Sequence, residues 1–282
     1  MERLTELVTG RKIPIGDGAE WVFDWLTTHA GAFFNALATA MQAMIDAILF
    51  VLTAPHPFAV IAVFMALAYA LQRRVLISVG IGAGFLFILN QGYWEETMQS
   101  LTLVLAACVV CMGLGVPAGI ALAHRPRLYA WVRPLLDLMQ TLPTFVYLIP
   151  AIVFFGIGMV PGLIATVIFV LPAPIRLTQL GISSTPAALR EAAVAFGATP
   201  RQLLWKVEMP SALPQIMTGL NQTIMLSLSM VVIAALVGAS GLGVPVVRAL
   251  NSVNTALGFE SGLVIVVVAI MLDRLLRFRR KS

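Results

Sequence analysis

Residues Arg190–Pro210, REAAVAFGATPRQLLWKVEMP, form the middle of a polar segment, about residues 176–213, that has near-continuous apolar sequence on both sides. The chain of 282 residues is 60% hydrophobic and only 11% charged, whereas soluble domains average about 25% charged residues. Several apolar runs approach the ~20 residues that cross ~30 Å of hydrocarbon. The composition therefore predicts a polytopic helical membrane protein, in which one long polar interruption requires an explanation.

The positions of the basic residues predict which side of the membrane each loop occupies. They fall mostly in short groups: Arg73 and Arg74; Arg125, Arg127 and Arg133; Arg176, Arg190, Arg201 and Lys206; and Arg274, Arg277, Arg279, Arg280 and Lys281. Cytoplasmic loops are enriched in lysine and arginine, so these groups are expected inside the cell. The loop Gln91–Glu96 has acidic residues and no basic one, so it is expected outside. This distribution explains the net charge of +5 without a nucleic-acid partner.

Apolar runs between these loops predict about seven transmembrane helices. They lie near Pro57–Gln72, Val75–Asn90, Met98–Ala123, Pro134–Gly158, Pro161–Ile175, Leu213–Val237 and Ser261–Arg277. The predicted fold is all-α, with an N-terminal tail and amphipathic helix in residues 1–56 and a transmembrane domain in residues 57–282. No other segment is long enough to form a soluble domain, so any nucleotide is expected to bind to a partner chain.

The segment Glu20–Leu52 has two interpretations. Polar residues recur on one side of it at helical spacing, and apolar residues lie opposite; the polar ones are Thr28, Asn35, Thr39, Gln42 and Asp46. A helix of this kind can lie in the membrane interface with its apolar face down, and this placement is preferred. The alternative is a spanning helix whose polar stripe faces the bundle, which gives eight helices and a cytoplasmic N-terminus.

The polar segment contains two helix start signals. Thr185–Pro186 and Thr199–Pro200 each place a threonine cap before a proline at the first helical position. They predict two short helices, Ala187–Phe196 and Arg201–Glu208, and Gly197 is suited to end the first in the left-handed conformation. Loops between spans need only a few residues, so a long loop with two capped helices indicates a docking element on the cytoplasmic face.

Three other patterns resemble functional motifs but have a simpler interpretation. Cys108 and Cys111 have the spacing of a redox motif, but they lie in the middle of an apolar span and are predicted to be packing residues. The stretch GASGLG, residues 238–243, lacks the lysine of a phosphate-binding loop and is predicted to form a turn or a re-entrant loop. The histidines are scattered and predict no metal site: His29, His56 and His124. No nucleophile–base or paired-carboxylate arrangement predicts catalysis, so the chain is not expected to be an enzyme.

The polar loop resembles the EAA motif of ABC-importer permeases, E-A-A-x3-G-x9-I-x-L-P. The residues that match the motif are Glu191, Ala192, Ala193, Gly197 and Pro210. Val207 and Met209 stand where isoleucine and leucine are usual, which are mild apolar substitutions. In that family the loop forms the coupling helices that seat in a groove on the ATPase subunit. The resemblance therefore implies that the matching residues couple this chain to an ATPase.

Three further stretches narrow the resemblance. Arg133–Pro150, Phe155–Thr178 and Asn221–Gly243 look like the permeases of bacterial importers for glycine betaine, proline betaine and choline. The likeness extends from about Gly18 to Arg274 and implies the type I ABC-importer permease fold. It also implies a homodimer in the bacterial cytoplasmic (inner) membrane, ATP-binding cassette subunits that bind ATP and Mg, and an extracytoplasmic substrate-binding protein. No cofactor is expected in this chain itself.

Polar residues at helical spacing inside two predicted spans are candidates for lining the translocation pathway. They are Gln140, Thr144 and Tyr147 on one span, and Gln215, Thr218, Gln222 and Ser229 on the other. The alternative is that they form hydrogen bonds between helices, as polar residues in membrane bundles often do. An aromatic cage for a quaternary ammonium group is not evident; Phe145 and Tyr147 are the nearest hint. Asp137, three residues after Pro134, is expected in a helix's first turn, where a carboxylate favours the dipole.

The expected function is that of the membrane subunit of an ATP-driven importer for quaternary ammonium compounds, with choline slightly preferred over glycine betaine. An amino-acid or methionine-type permease that shares only the coupling motif is the alternative within the same superfamily. A stand-alone channel or secondary transporter is disfavoured, since neither inverted repeats nor ionisable residues at mid-membrane are evident. A structural or osmosensing subunit is the remaining class, and the polar stripes on the spans argue against it only weakly.

Overall fold

The computed structural model describes residues 14–276, which form helices joined by short turns. The helices are α1 (Ile15–Thr53), α2 (Pro57–Gln72), α3 (Val75–Asn90), α4 (Trp94–Ala123), α5 (Pro126–Thr141), α6 (Leu148–Phe155), α7 (Met159–Val170), α8 (Pro172–Ser183), α9 (Ala187–Ala195), α10 (Pro200–Leu203), α11 (Met209–Ala235), α12 (Gly243–Ser252) and α13 (Thr255–Leu276). A 3-10 turn, Thr144–Tyr147, precedes α6, and a π turn, Leu204–Glu208, joins α10 to α11. The start of the predicted tail, residues 1–13, and the basic residues after Leu276 lie outside the described residues.

Helix length and apolarity confirm the all-α membrane fold. Within residues 14–276, five helical stretches are long and apolar enough to cross a membrane: Gly16–Thr53, Trp94–Ala123, Met159–Ser183, Pro200–Ala235 and Thr255–Leu275. A bent pair, Pro126–Thr141 with Thr144–Phe155, gives a sixth span if it is counted as one. The predicted spans over α2 and α3 are helices as expected, but each has only 16 residues.

The centre of the bundle is the packing of α8 against α4 on one side and α11 on the other. These are the most extensive contacts between helices in the described part of the chain. Helix α4 approaches α8 closely because Gly115 and Gly119 have no side chains: a Cβ added to Gly119 would lie 2.6 Å from the Cβ of Thr178 and 2.7 Å from the carbonyl oxygen of Ile175. Small residues four positions apart let membrane helices pack backbone to backbone.

The predicted amphipathic segment is part of α1, a single helix of 39 residues. Phe23 and Phe34 pack on Phe154 of α6, with ring centroids 5.4 Å and 4.4 Å apart, and Ile45 and Leu52 are buried in the main core. The helix thus follows the bundle over most of its length, while most of its surface remains exposed. Its length and apolarity also meet the criteria for crossing a membrane, which is the alternative to the interfacial placement.

The predicted span Pro134–Gly158 consists of two helices that meet at a sharp bend. Helix α5 already begins at Pro126, runs through Pro134, and meets the following helical segment at 104°. Pro126 and Pro134 can each act as a proline at the first helical position, and the prediction placed the start at the second of them. Asp137 therefore lies near the C-terminal end of α5, and its assignment to a first turn is wrong. Its carboxylate instead lies 2.7 Å from the guanidinium of Arg176 on α8.

The glycine-rich stretch at residues 238–243 is a turn, one of the two forms that the sequence predicts. Gly238 and Gly241 have φ angles of +81° and +129°, in the region that favours glycine. The turn is fixed to the start of α4, because the backbone N–H of Leu242 donates to Oγ of Ser100 at 2.8 Å. Ser100 lies in the helix that follows the loop Gln91–Glu96, which is predicted to be outside, so this contact places the glycine turn near the same face.

Candidate functional site

The first half of the polar segment is helix α9, which contains the triplet Glu191–Ala193. The helix begins at Ala187, as predicted, but the residue that caps it is Pro186, which makes no side-chain capping bond. Pro186 has an extended backbone, with ψ of 130°, so it precedes the helix instead of starting it. Thr185 is buried one residue further back, and the prediction that it caps α9 is wrong.

Gly197 ends α9 in the way the sequence predicts. Its φ angle is +77°. Its N–H bonds to the carbonyl of Val194 at 2.9 Å, and the N–H of Ala198 bonds to the carbonyl of Ala193 at 3.0 Å. These two bonds form the Schellman arrangement of a helix C-terminus. No atom lies within 4 Å of an added Cβ at Gly197, so the backbone conformation, and not a shortage of space, is what favours glycine there.

The second half of the polar segment begins with the predicted threonine cap. Oγ1 of Thr199 accepts a hydrogen bond from the N–H of Gln202 at 3.3 Å, and the side chain of Gln202 accepts one from the N–H of Thr199 at 2.9 Å, which is a capping box. The predicted separate helix Arg201–Glu208 does not end before Pro210: the chain is helical from Pro200 to Ala235 without a break. The π turn widens the helix just before Pro210, whose ring would otherwise meet the carbonyl four residues earlier.

The loop presents apolar side chains and its motif residues together on its surface. Four large apolar side chains are more than half exposed: Leu189, Val194, Phe196 and Trp205. Glu191 and Ala192 are exposed on α9, the helix that also contains Leu189 and Val194. Exposed apolar groups surrounded by polar residues are typical of interaction surfaces, so the geometry makes this loop accessible to a partner.

A carboxylate is buried beneath the loop. Glu208, the last residue of the π turn, has a side chain that is only 2% exposed. Its Oε2 lies 2.8 Å from Nε2 of His124, the residue that follows α4. Its Oε1 lies 3.6 Å from Nε of Arg190 on α9. A buried charge is costly unless it is paired, and these two contacts link α9, the end of α4 and the start of α11 through one side chain.

The sequence did not indicate Glu208 or His124 as site residues. Glu208 occupies the variable position of the motif, between Val207 and Met209, and His124 was grouped with the scattered histidines. The available signal was a charged residue placed between apolar residues immediately before a membrane span, where burial would require a partner.

The candidate pathway residues lie at the bend between α5 and α6 and along α11. Tyr147 is buried, and its hydroxyl donates to the carbonyl of Met139 at 2.7 Å across the bend. Gln140 and Thr144 are partly exposed. The remaining candidates are exposed on one side of α11: Gln215, Thr218, Gln222 and Ser229. The hydroxyls among these bond to carbonyls one turn earlier in their own helix, so this side of α11 offers polar surface without bonding to another helix through them.

The cysteine pair lies where a packing role predicts it. Cys108 and Cys111 are buried free thiols, and the sulfur of Cys111 lies 3.8 Å from the carbonyl oxygen of Val167. In residues 14–276, no group of three or more His, Cys, Asp and Glu side chains could hold a metal ion.

Known proteins resemble this chain over most of its length. The family model of the binding-protein-dependent transport system inner membrane component matches residues 115–278. The glycine betaine transport system permease protein OpuAB of Bacillus subtilis is 44% identical over 274 residues, which cover 96% of this chain and 97% of the relative. The glycine betaine/carnitine transport permease protein GbuB of Listeria monocytogenes is 42% identical over 277 residues, again covering 96% and 97%.

A solved structure supports the fold independently. The MetNI methionine ABC transporter, in an inward-facing conformation, superposes with a TM-score of 0.58 at 23% identity, covering 64% of this chain and 94% of that chain. The architecture is thus the type I permease fold of ABC importers, a multi-pass transport component of the cytoplasmic (inner) membrane. The chain belongs to the family of binding-protein-dependent transport system inner membrane components, and within it to the ABC-importer permease subunits for quaternary ammonium compounds.

Proposed function

We propose that this chain forms the translocation pathway of an ATP-driven importer for quaternary ammonium compounds, with glycine betaine as its substrate. OpuAB and GbuB, which each align over 96% of this chain, are named for transport of glycine betaine and of glycine betaine and carnitine. This favours glycine betaine over choline, the substrate that the sequence slightly preferred. The methionine transporter shares the fold at 23% identity, which carries no argument for an amino-acid substrate.

The observation that carries the proposal is the exposed loop and its continuity with a membrane helix. Glu191 and Ala192 are exposed on α9, in the loop that the basic residues predict to be cytoplasmic, next to Phe196, which is 93% exposed. After the break at Gly197, the helix Pro200–Ala235 runs from the loop into the bundle. An ATPase seated on α9 would therefore move α11 directly. ATP and Mg bind to that partner, and this chain contributes no cofactor.

Transport requires a polar route because a quaternary ammonium group carries a permanent charge, and a charge in the centre of a bilayer costs several kcal/mol or more. In this proposal two copies of the chain enclose the route, which opens alternately to each side. Thr218, Gln222 and Ser229 on the exposed side of α11 would supply polar surface, with Gln140 and Thr144 at the bend. A separate extracytoplasmic binding protein would deliver and select the substrate.

The test is ATP hydrolysis and uptake by this chain reconstituted in lipid with its cognate ATPase and binding protein. The binding protein is added with glycine betaine, choline, proline, methionine or no ligand. Stimulation of ATP hydrolysis and uptake by glycine betaine is the expected result. Stimulation by an amino acid alone would favour the amino-acid permease. Uptake without any associated ATPase would favour a stand-alone transporter.

The coupling assignment is tested by two variants of the loop. Gly197→Pro places proline at a residue with positive φ, where its ring cannot fit, and Glu191→Lys reverses a charge on the docking surface. Both are expected to abolish uptake while the chain stays in the membrane. Glu20→Lys is the matched control, since it reverses an exposed charge on α1, outside the loop. Uptake at the control's rate by both loop variants would rule the coupling role out.

A further inference from the structure

The contact between His124 and Glu208 requires one proton between the two side chains. Nδ1 of His124 lies 2.9 Å from the carbonyl oxygen of Ile120, and because a carbonyl can only accept, Nδ1 carries a hydrogen. Nε2 then faces Oε2 of Glu208 at 2.8 Å. A neutral imidazole with its hydrogen on Nδ1 presents a lone pair at Nε2, which would repel an ionised carboxylate. The pair therefore holds one proton, either as imidazolium with carboxylate or as imidazole with carboxylic acid.

Glu208 lies in the π turn before α11 and contacts side chains from two other helical segments, α9 and the end of α4. Among the described residues, the titratable or charged side chains in contact with it are His124 from the end of α4 and Arg190 from α9. Arg201 and Lys206, on the same continuous helix as Glu208, are exposed. Helix α9 therefore cannot move away from the bundle without disturbing a carboxylate that is itself nearly inaccessible to water.

We propose that Glu208 is a positioning residue that transmits movement of α9 to α4 and α11 through Arg190 and His124, and that the proton shared with His124 makes this link depend on pH. The inference rests on the proposed function, because movement of α9 has a purpose only if an ATPase docks there. When the link forms, one proton enters from solvent through the side chain of His124, which is 44% exposed. The same proton returns to solvent when the link breaks.

The direction of the pH dependence follows from this proton count. The assembled link binds one more proton than a separated neutral histidine and ionised glutamate, so acid favours assembly. Raising the pH removes this extra proton and therefore weakens the link. Coupling between ATP hydrolysis and transport is therefore expected to be tighter at pH 6 than at pH 8.

Substitutions of Glu208 separate a proton-dependent link from a merely structural one. In Glu208→Gln, the amide N–H can donate to Nε2 of neutral His124, so the contact survives without a titrating proton. In Glu208→Ala, both the contact with His124 and the contact with Arg190 are lost. His124→Ala removes the titrating group while altering a side chain that is partly exposed. Lys206→Gln is the control, since it changes an exposed charge in the same π turn.

The experiment measures glycine betaine taken up per ATP hydrolysed, in vesicles containing the full importer, between about pH 6 and pH 8. For the wild type and for Lys206→Gln, this ratio is expected to fall about fivefold from the acidic to the alkaline end of the range, a change at the low end of measured coupling. Glu208→Gln is expected to hold its ratio constant, and Glu208→Ala and His124→Ala to be low throughout. Recovery of the ATPase with each variant verifies folding, and if Glu208→Ala is not recovered, Glu208→Gln and His124→Ala decide.

Two results overturn the inference and are distinct from failure of the proposed function. If the wild type imports glycine betaine but Glu208→Gln has the same pH profile, the shared proton has no role in coupling. If Glu208→Ala and His124→Ala couple as well as the wild type, the link does not transmit movement. Absence of ATP-driven uptake by the wild type at every pH would instead reject the proposed function, and the inference with it.

Discussion

Replacing Gly119 with alanine is expected to destabilise the contact between α4 and α8. The added Cβ would lie 2.6 Å from the Cβ of Thr178 and 2.7 Å from the carbonyl oxygen of Ile175. The carbonyl belongs to the α8 backbone, so relief requires the two helices to move apart. Overpacking of this kind costs about 1–3 kcal/mol. Gly113 on the same helix offers the matched control, because a Cβ there meets nothing within 4 Å.

Alanine should instead stabilise the helix at Gly113, since glycine within a helix costs about 1 kcal/mol relative to alanine. The propensity gain is common to both variants, so the expected difference between them is the overpacking cost alone. At roughly 2–4 °C per kcal/mol for chains of about this size, an overpacking cost of about 1–3 kcal/mol should place the unfolding midpoint of Gly119→Ala on the order of 2–12 °C below that of Gly113→Ala.

The assay can use the protein's own thiols. Cys108 and Cys111 are free and buried on α4, so a thiol-reactive fluorophore reports the opening of the bundle as the detergent-solubilised protein is heated. Both variants are heated at one rate, because midpoints of irreversible unfolding depend on scan rate. Equal midpoints for Gly119→Ala and Gly113→Ala would refute the claim that the helices meet backbone to backbone at Gly119.

Three further predictions concern single hydrogen bonds. Thr199→Ala removes the bond that Oγ1 accepts from the N–H of Gln202 and should cost about 1 kcal/mol of local stability. The loss should appear as faster amide hydrogen exchange in the following helical turn, and unchanged exchange would count against the cap. Tyr147→Phe removes the bond to the Met139 carbonyl and should lower stability by about 1 kcal/mol, measured by the thiol-accessibility midpoint, and no shift would show that the bend does not depend on it. Burial, and then the charge of Glu260, raise the pKa of Tyr93. The tyrosine therefore stabilises the fold below its ordinary pKa of about 10, and this contribution is lost as the pH rises through the pKa of the folded protein. Tyr93→Phe should lessen the loss of stability at alkaline pH, and an unchanged alkaline profile would contradict this.

Local chemistry made much of the fold predictable. The apolar runs and the basic loops located the membrane helices, and Gly197 and Thr199 signalled breaks that depend only on neighbouring backbone groups. Features that depend on distant packing were not predictable in this way. One example is helix continuation: α5 runs through Pro134 and the long helix runs through Pro210, although proline usually ends or kinks a helix.

The same distinction between local and distant features applies to the candidate site. Exposure of Glu191 on α9 follows from a contiguous motif, and so could be expected from sequence. The contact between His124 and Glu208 joins residues 84 positions apart, and the pairing of Asp137 with Arg176 joins different helices. No local pattern encodes these pairs, since each becomes apparent only when the helices are packed together.

The two helices of the hairpin α2–α3 are shorter than the hydrocarbon core of a typical bilayer. Each helix has 16 residues, about 24 Å at ~1.5 Å per residue, against a hydrocarbon core of ~30 Å. Phe58, Val63 and Leu76 are exposed on this hairpin, and apolar side chains of this kind are expected to contact acyl chains. A hydrophobic segment shorter than the bilayer is accommodated by local thinning or by flanking side chains such as Arg74 that reach outward. Acyl-chain length therefore acts on this flank of the protein, and membranes of different thickness are not equivalent environments for it.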